Sequence, residues 1–140
     1  MYHNLEMALQ SVESQRAVMY DETKKQWFIQ YTDGKGAKNG TIYNEGGAPG
    51  DQFFWDHRVQ AASDYYIASV LKVLDNDHVD GIFTDDLMGF PSEHGDAPAR
   101  TRISYAEAVE LQFATLATHG RLVDALIGAG KYNWQAIQGE

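Results

Sequence analysis

Two adjacent carboxylates, Asp85 and Asp86, close the strand-forming run Val79-Asp80-Gly81-Ile82-Phe83-Thr84. Side chains alternate along an extended strand, so parity places Asp85 on the side of Phe83 and Gly81 and sends Asp86 the other way. A carboxylate at the C-terminal end of a strand can serve as a nucleophile or general base, which makes Asp85 the first candidate. Asp86 then starts the following loop, holding its backbone or tuning a neighbour. Acid/base chemistry across a substrate bond needs a second carboxyl from elsewhere. Glu93 and Glu45 in loops, Asp33 after an earlier strand and Glu140 after the last are the choices, and the sequence does not decide among them. Asp85, Asp86 and Glu93 form the candidate catalytic set.

Aromatic residues at strand exits or in loops, Tyr31, Trp55, Phe90 and Trp134, could stack on the apolar C–H face of a sugar ring. Tyr31, Trp55 and Trp134 join Asp33, Asp56, Arg58 and Gln135 as the candidate substrate-binding set. The competing reading makes the aromatics core and Asp56 a helix cap with solvated neighbours, while Arg58 could pair with a cleft carboxylate. His94 and Asp96, with the Asp85-Asp86 pair, could gather a divalent ion, yet no HExxH or DxDxDG spacing supports one. No metal or other cofactor is assigned.

The elements that must position these residues follow from periodicity. Leu5, Leu9 and Val12 suit a short amphipathic helix within Met1 to Gln15. Trp27 to Thr32 reads as a buried strand ending at the Asp33-Gly34 turn pair, and Gly34 to Gly50, with six glycines, reads as a long loop. A helix begins near Asp56 on the stripe Val59, Ala62, Tyr66, Ile67, Val70, Leu71 and Leu74. Val79 to Thr84 is the next strand, and Leu87 to Arg102 a second loop. Ser104 and Glu107 stand in the spacing of a capping box and open a helix with stripe residues Ala106, Val109, Phe113, Leu116, Val123, Leu126 and Ile127. Tyr132 to Gln138 is the last strand. Strands alternating with helices predict an α/β fold with a parallel sheet and both helices on one side.

At 140 residues the chain is one domain, 1–140, long enough to bury a core. A net charge of -9 makes nucleic acid and anionic membrane poor partners. The absence of cysteine excludes a thiol nucleophile and a disulfide scaffold. No basic segment followed by an apolar stretch marks a secretory signal, and the compartment stays open. Asn39-Gly40-Thr41 is a glycosylation sequon, meaningful only for a secreted eukaryotic protein.

The segment Val79-Asp80-Gly81-Ile82-Phe83-Thr84-Asp85-Asp86, preceded by a long helix that starts just after Phe53-Phe54-Trp55-Asp56-His57-Arg58, resembles a recurring piece of (β/α)8-barrel glycoside-hydrolase-like proteins. The resemblance covers Phe53 to Gly95 well and the strands at Trp27 to Thr32 and Tyr132 to Gln138 more loosely. It implies part of a TIM barrel, since a whole one runs to about 250 residues, with exposed sheet edges and self-association to follow. It also implies a carbohydrate substrate, with Asp85 projecting into a sugar cleft for hydrolysis through an oxocarbenium-like transition state. A non-catalytic carbohydrate-binding protein and a metal-dependent hydrolase are the alternatives.

Overall fold

The structure, a computed structural model, describes residues 1–32, 37–46, 50–88 and 103–138. Strands β1 (Tyr2–Asn4), β6 (Gly81–Met88) and β7 (Tyr132–Gln138) form a parallel sheet in the order β1-β6-β7. Strands β2 (Met7–Leu9) and β5 (Gln52–Phe54) pair antiparallel, as do β3 (Gln30–Thr32) and β4 (Lys38–Ile42). Helix α1 spans Glu13–Met19, α2 Gln60–Leu71 and α3 Tyr105–Gly128, with 3₁₀ turns at Glu22–Trp27 and Lys72–Asp75.

This is not a (β/α)8 barrel, and strands and helices do not alternate along the chain. Among the described residues, four of the seven strands belong to two small antiparallel sheets, and Trp27 to Thr32 does not enter the parallel sheet. Its first residue closes a 3₁₀ turn, Phe28 bridges antiparallel to Trp55, and only Gln30–Thr32 is strand. The cause is aromatic. Phe28 stacks on Trp55 at 4.8 Å and meets Phe53 edge-on at 5.5 Å, while Tyr43 packs on Phe54 at 5.6 Å. Antiparallel neighbours place these rings opposite one another, and such pairs are worth about 1 kcal/mol each beyond their burial. The glycine-rich stretch supplies β4 instead of being loop throughout.

The N-terminal helix expected over Met1 to Gln15 is also absent, because side chains capture the backbone donors it would use. Asn4 Oδ1 accepts from the amides of Glu6 and Met7 at 3.0 and 2.7 Å, and buried Gln15 accepts from Leu9 N–H at 2.7 Å. Such local bonds compete with a helix and here turn the chain from β1 into β2.

Helices α2 and α3 lie side by side, joined by a hydrogen bond from Thr118 to Ser63 at 3.1 Å and an ion pair of Arg121 with Asp64. Tyr66 and Val70 of α2, Leu122 and Leu126 of α3 and Ile82 of β6 share one core with Trp55 and Phe28. The capping box at Ser104 and Glu107 is present and starts α3. The stripe expected for α3 is only partly the buried one. Ala108, Thr115, Thr118, Leu122 and Leu126 face inward, whereas Phe113, Leu116 and Ile127 are exposed. Gly81 is required by close packing, because a Cβ there would stand 2.5 Å from the Tyr132 carbonyl oxygen of β7.

Candidate functional site

Register sorts the parallel sheet into two faces. Tyr2, Phe83 and Trp134 align across the three strands, as do His3, Thr84 and Gln135 one residue further on, and Asn4 aligns with Asp85. Successive side chains alternate, so Tyr2, Asn4, Phe83, Asp85, Tyr132 and Trp134 share a face. The other face, with Ile82 and Thr84, lies against the helices. The first face carries exposed rings: Tyr2 with Phe83 at 6.0 Å and Tyr132 with Trp134 at 6.2 Å, Trp134 being 64% exposed.

Two carboxylates stand at the C-terminal end of that face. Between Thr84 and Leu87 strand β6 spends one more residue than β7, a bulge, and Asp86 takes the left-handed region at φ 59°. Aspartate tolerates that conformation better than most residues. Strict alternation would send Asp86 away from Asp85, but the bulge returns it, and its Oδ2 accepts from Asn4 Nδ2. Asp85 Oδ1 accepts from the Asp86 amide at 2.9 Å, and its carbonyl accepts from Leu5 N–H at 2.9 Å. Partial burial raises the Tyr2 phenol above its ordinary value, and the Asp85 and Asp86 carboxylates push the same way against a hydrogen bond with Asn4. Tyr2, Asn4, Asp85 and Asp86 are thus brought together, with Phe83 and Trp134 next along the face.

The other expected residues are distributed differently. Trp55 is 1% exposed and sits between Phe28 and Tyr66, so its ring faces are covered. Asp56 is buried and pairs with Arg58 through two contacts of 2.8 and 2.9 Å and with Lys38 at 3.4 Å. Burial works against the charge on Asp56, yet these two cations hold its pKa below the usual carboxylate range. This cluster fixes the turn entering α2. Tyr31 is half-buried and meets Tyr43 edge-on at 5.6 Å, away from Asp85 in the β3–β4 sheet. Gln135 lies on the helix-side face of β7, where its Nε2 donates to the Ala136 carbonyl at 2.7 Å. Asp33, Glu93, Phe90, His94, Asp96 and Glu140 lie outside the described residues. Among the described residues no group of three potential ligands could hold a metal ion. No described helix is long and apolar enough to cross a membrane.

Tyr2, Asn4, Phe83 and Tyr132 were not among the expected site residues. Phe83 and Tyr132 were legible as strand residues of the same parity as Asp85 and Trp134. Tyr2 and Asn4 were hidden because their strand has three residues and reads as helix. Glu6, two residues beyond the end of β1, places a further carboxylate after the strand that neighbours Asp85. A groove of about 620 Å³ between α1 and α2, lined by Glu13, Tyr65, Ser69 and Lys72 among others, lies elsewhere. No protein-family model matches the chain, and no curated protein matches it.

Proposed function

We propose that the open face of the parallel sheet binds carbohydrate and that the protein acts as a glycoside-hydrolase-like enzyme with Asp85 as its nucleophile or base. The observation that carries the reading is the row of exposed rings, Tyr2, Phe83, Tyr132 and Trp134, leading to Asp85 and Asp86 on one face. A sugar stacks its C–H face on such rings, and its polar rim then needs acceptors and donors, which Asp85 and Tyr2 offer, while buried Asn4 holds Asp86 and the turn into β2. Hydrolysis further requires an acid about 5 to 9 Å across the scissile bond from the first carboxylate. Asp86, adjacent to Asp85 and bonded to Asn4, serves to position the pair. The sequence leaves the acid open among Glu93, Glu45, Asp33 and Glu140, and Glu6, just beyond β1, is a further carboxylate near the end of that face.

A second reading, a carbohydrate-binding protein without turnover, needs only the aromatic row of Tyr2, Phe83, Tyr132 and Trp134 and no second carboxyl. A panel of oligosaccharides assayed for release of reducing ends separates the two. Asp85→Asn keeps shape and removes charge, so turnover should fall on the order of a thousandfold with the melting temperature nearly unchanged. Near-normal turnover in Asp85→Asn would remove the catalytic role. Binding without turnover in the wild type would leave the second reading.

A further inference from the structure

Of the asparagines, Asn39 alone is followed by glycine; Asn4, Asn44, Asn76 and Asn133 precede Leu5, Glu45, Asp77 and Trp134. Asn39, Gly40 and Thr41 stand in the middle of β4 and are all exposed. Their pairing is loose. Thr32 is opposite Lys38 and Gln30 is opposite Ile42, so Asn39 to Thr41 form a bulge that faces Tyr31 alone. Gly40 takes φ +80°, and a Cβ there would meet nothing within 4 Å, so its main chain is open on the side a side chain would cover.

The Thr41 N–H donates to Asn39 Oδ1 at 2.9 Å. That bond closes a ring through Asn39 Cγ, the Asn39 carbonyl carbon and the Gly40 nitrogen, so it folds the side-chain amide back toward the nitrogen that follows it. Every atom of a cyclic imide is already in that ring. The same N–H stands where negative charge gathers on Oδ1 when Cγ is attacked. Glycine matters at the other reactant, because no side chain shields its nitrogen. Asn76 accepts the same kind of bond, from the His78 N–H at 2.9 Å, but the nitrogen that follows it belongs to Asp77, whose charged side chain crowds it.

We propose that Asn39 is a self-modifying site, at which the folded chain converts the asparagine amide to a carboxylate through an imide formed with Gly40. The Gly40 nitrogen bonds to Asn39 Cγ, the Cγ–Nδ2 bond breaks, and Nδ2 leaves as ammonia with the proton that Gly40 gives up. Water then opens the imide. Cleavage on the Cγ side leaves an aspartate side chain on the normal main chain, and cleavage at the former Asn39 carbonyl routes the main chain through Cγ as isoaspartate. Nothing is oxidised or reduced. The bulge lets the fold survive the second product, since the extra main-chain carbon falls between the pairs Thr32–Lys38 and Gln30–Ile42, where β3 and β4 are already out of register. Either product adds a negative charge one residue from Lys38, which pairs with Asp56 at 3.4 Å. The amide that is lost is also the one a glycan would occupy in the Asn39-Gly40-Thr41 sequon, so the two fates exclude each other. The reaction is independent of carbohydrate binding.

Timed incubation of the full chain at pH 7.5 and 8.5, followed by peptide mapping with mass spectrometry, tests the site. Asn39 should lose its amide at least about tenfold faster than Asn4, Asn44, Asn76 or Asn133, and faster at the higher pH, with ammonia released in step and circular dichroism unchanged. The product should accept a methyl group from an isoaspartyl methyltransferase. Asn39→Gln, whose longer side chain needs a larger ring, should reduce ammonia release to the background of the other asparagines. The same incubation in urea separates fold from sequence, and comparable loss in the folded and unfolded chains is the expected result. An Asn39 amide that persists in the folded chain while the unfolded chain loses it, loss no faster than at Asn76, or ammonia release unchanged in Asn39→Gln would each overturn the proposal.

Discussion

The two faces of the parallel sheet are built from the same strands and do opposite things. On the helix-covered face Ile82 and Thr84 are fully buried, and Thr84 Oγ1 donates to Asn133 Oδ1 at 2.6 Å, so both volume and polarity are matched. On the open face Phe83 and Trp134, each one residue removed from that core, present their rings outward beside a carboxylate pair. The difference teaches that β6 divides its residues by parity, with cohesion on one side and exposed rings on the other, until the bulge at Asp85-Asp86 breaks the alternation at the end where the proposed site lies. Bulges beside functional sites serve to re-aim side chains in this way.

If the division holds, substitutions of neighbouring residues should have opposite consequences. Ile82→Ala should lose about 2 to 5 kcal/mol of unfolding free energy, measured by urea denaturation, since it empties volume between Leu122, Leu126 and Val70. Gly81→Ala should also destabilise, because its methyl meets the Tyr132 carbonyl and β7 must shift.

The covered side also contains buried imidazoles, which give it a pH dependence on the acid side of neutrality. His57 Nε2 donates to the Leu5 carbonyl at 2.8 Å, and its Nδ1 is buried with no partner among the described residues. Burial lowers the pKa of His57 to about 4, against weaker opposing effects of Leu5 and Asp56, and burial lowers that of His3 to about 4 as well. Below pH 6.5 the unfolded chain takes up protons that the folded chain refuses. Stability is therefore full above pH 6.5 and falls as the pH drops toward 4, with His57 contributing on the order of 3 kcal/mol. Denaturation curves at pH 7.5, 5.5 and 4.5 should show the decline, and His57→Gln should flatten it; an unchanged slope would mean that His57 is not buried neutral. The smallest expected effect lies on the open face, where Trp134→Ala should change stability by no more than about 0.5 kcal/mol.

The sequence was informative wherever a local rule fixed an element. The capping box at Ser104 and Glu107 and the Tyr, Trp and Ile of Tyr132 to Gln138 announced α3 and β7, while the strand read over Val79 to Thr84 runs instead over Gly81–Met88, so Leu87 belongs to β6 and not to the loop expected there. It failed where tertiary pairing overrode local pattern. Leu5 and Leu9 have helical spacing, but Asn4 and Gln15 bind the backbone amides and strands result. Phe28 reads as part of a parallel strand and Trp55 as a strand-exit or loop residue before the next helix, whereas their mutual stacking makes an antiparallel pair. For the candidate site, Asp85 was legible from parity and Trp134 from its residue type, although it lies within β7 rather than at a strand exit, while the return of Asp86 toward Asn4 depends on a bulge that no spacing announces.

The central claim is that the face carrying Trp134 is the one that meets carbohydrate, and tryptophan fluorescence addresses it directly. Of the three tryptophans, Trp27 and Trp55 are buried at 8% and 1% exposure and Trp134 is open at 64%. Acrylamide should therefore quench almost only Trp134. An oligosaccharide that the protein binds or cleaves should protect that emission from the quencher, and the protection should vanish in Trp134→Ala. Binding or cleavage with quenching unchanged would contradict the account.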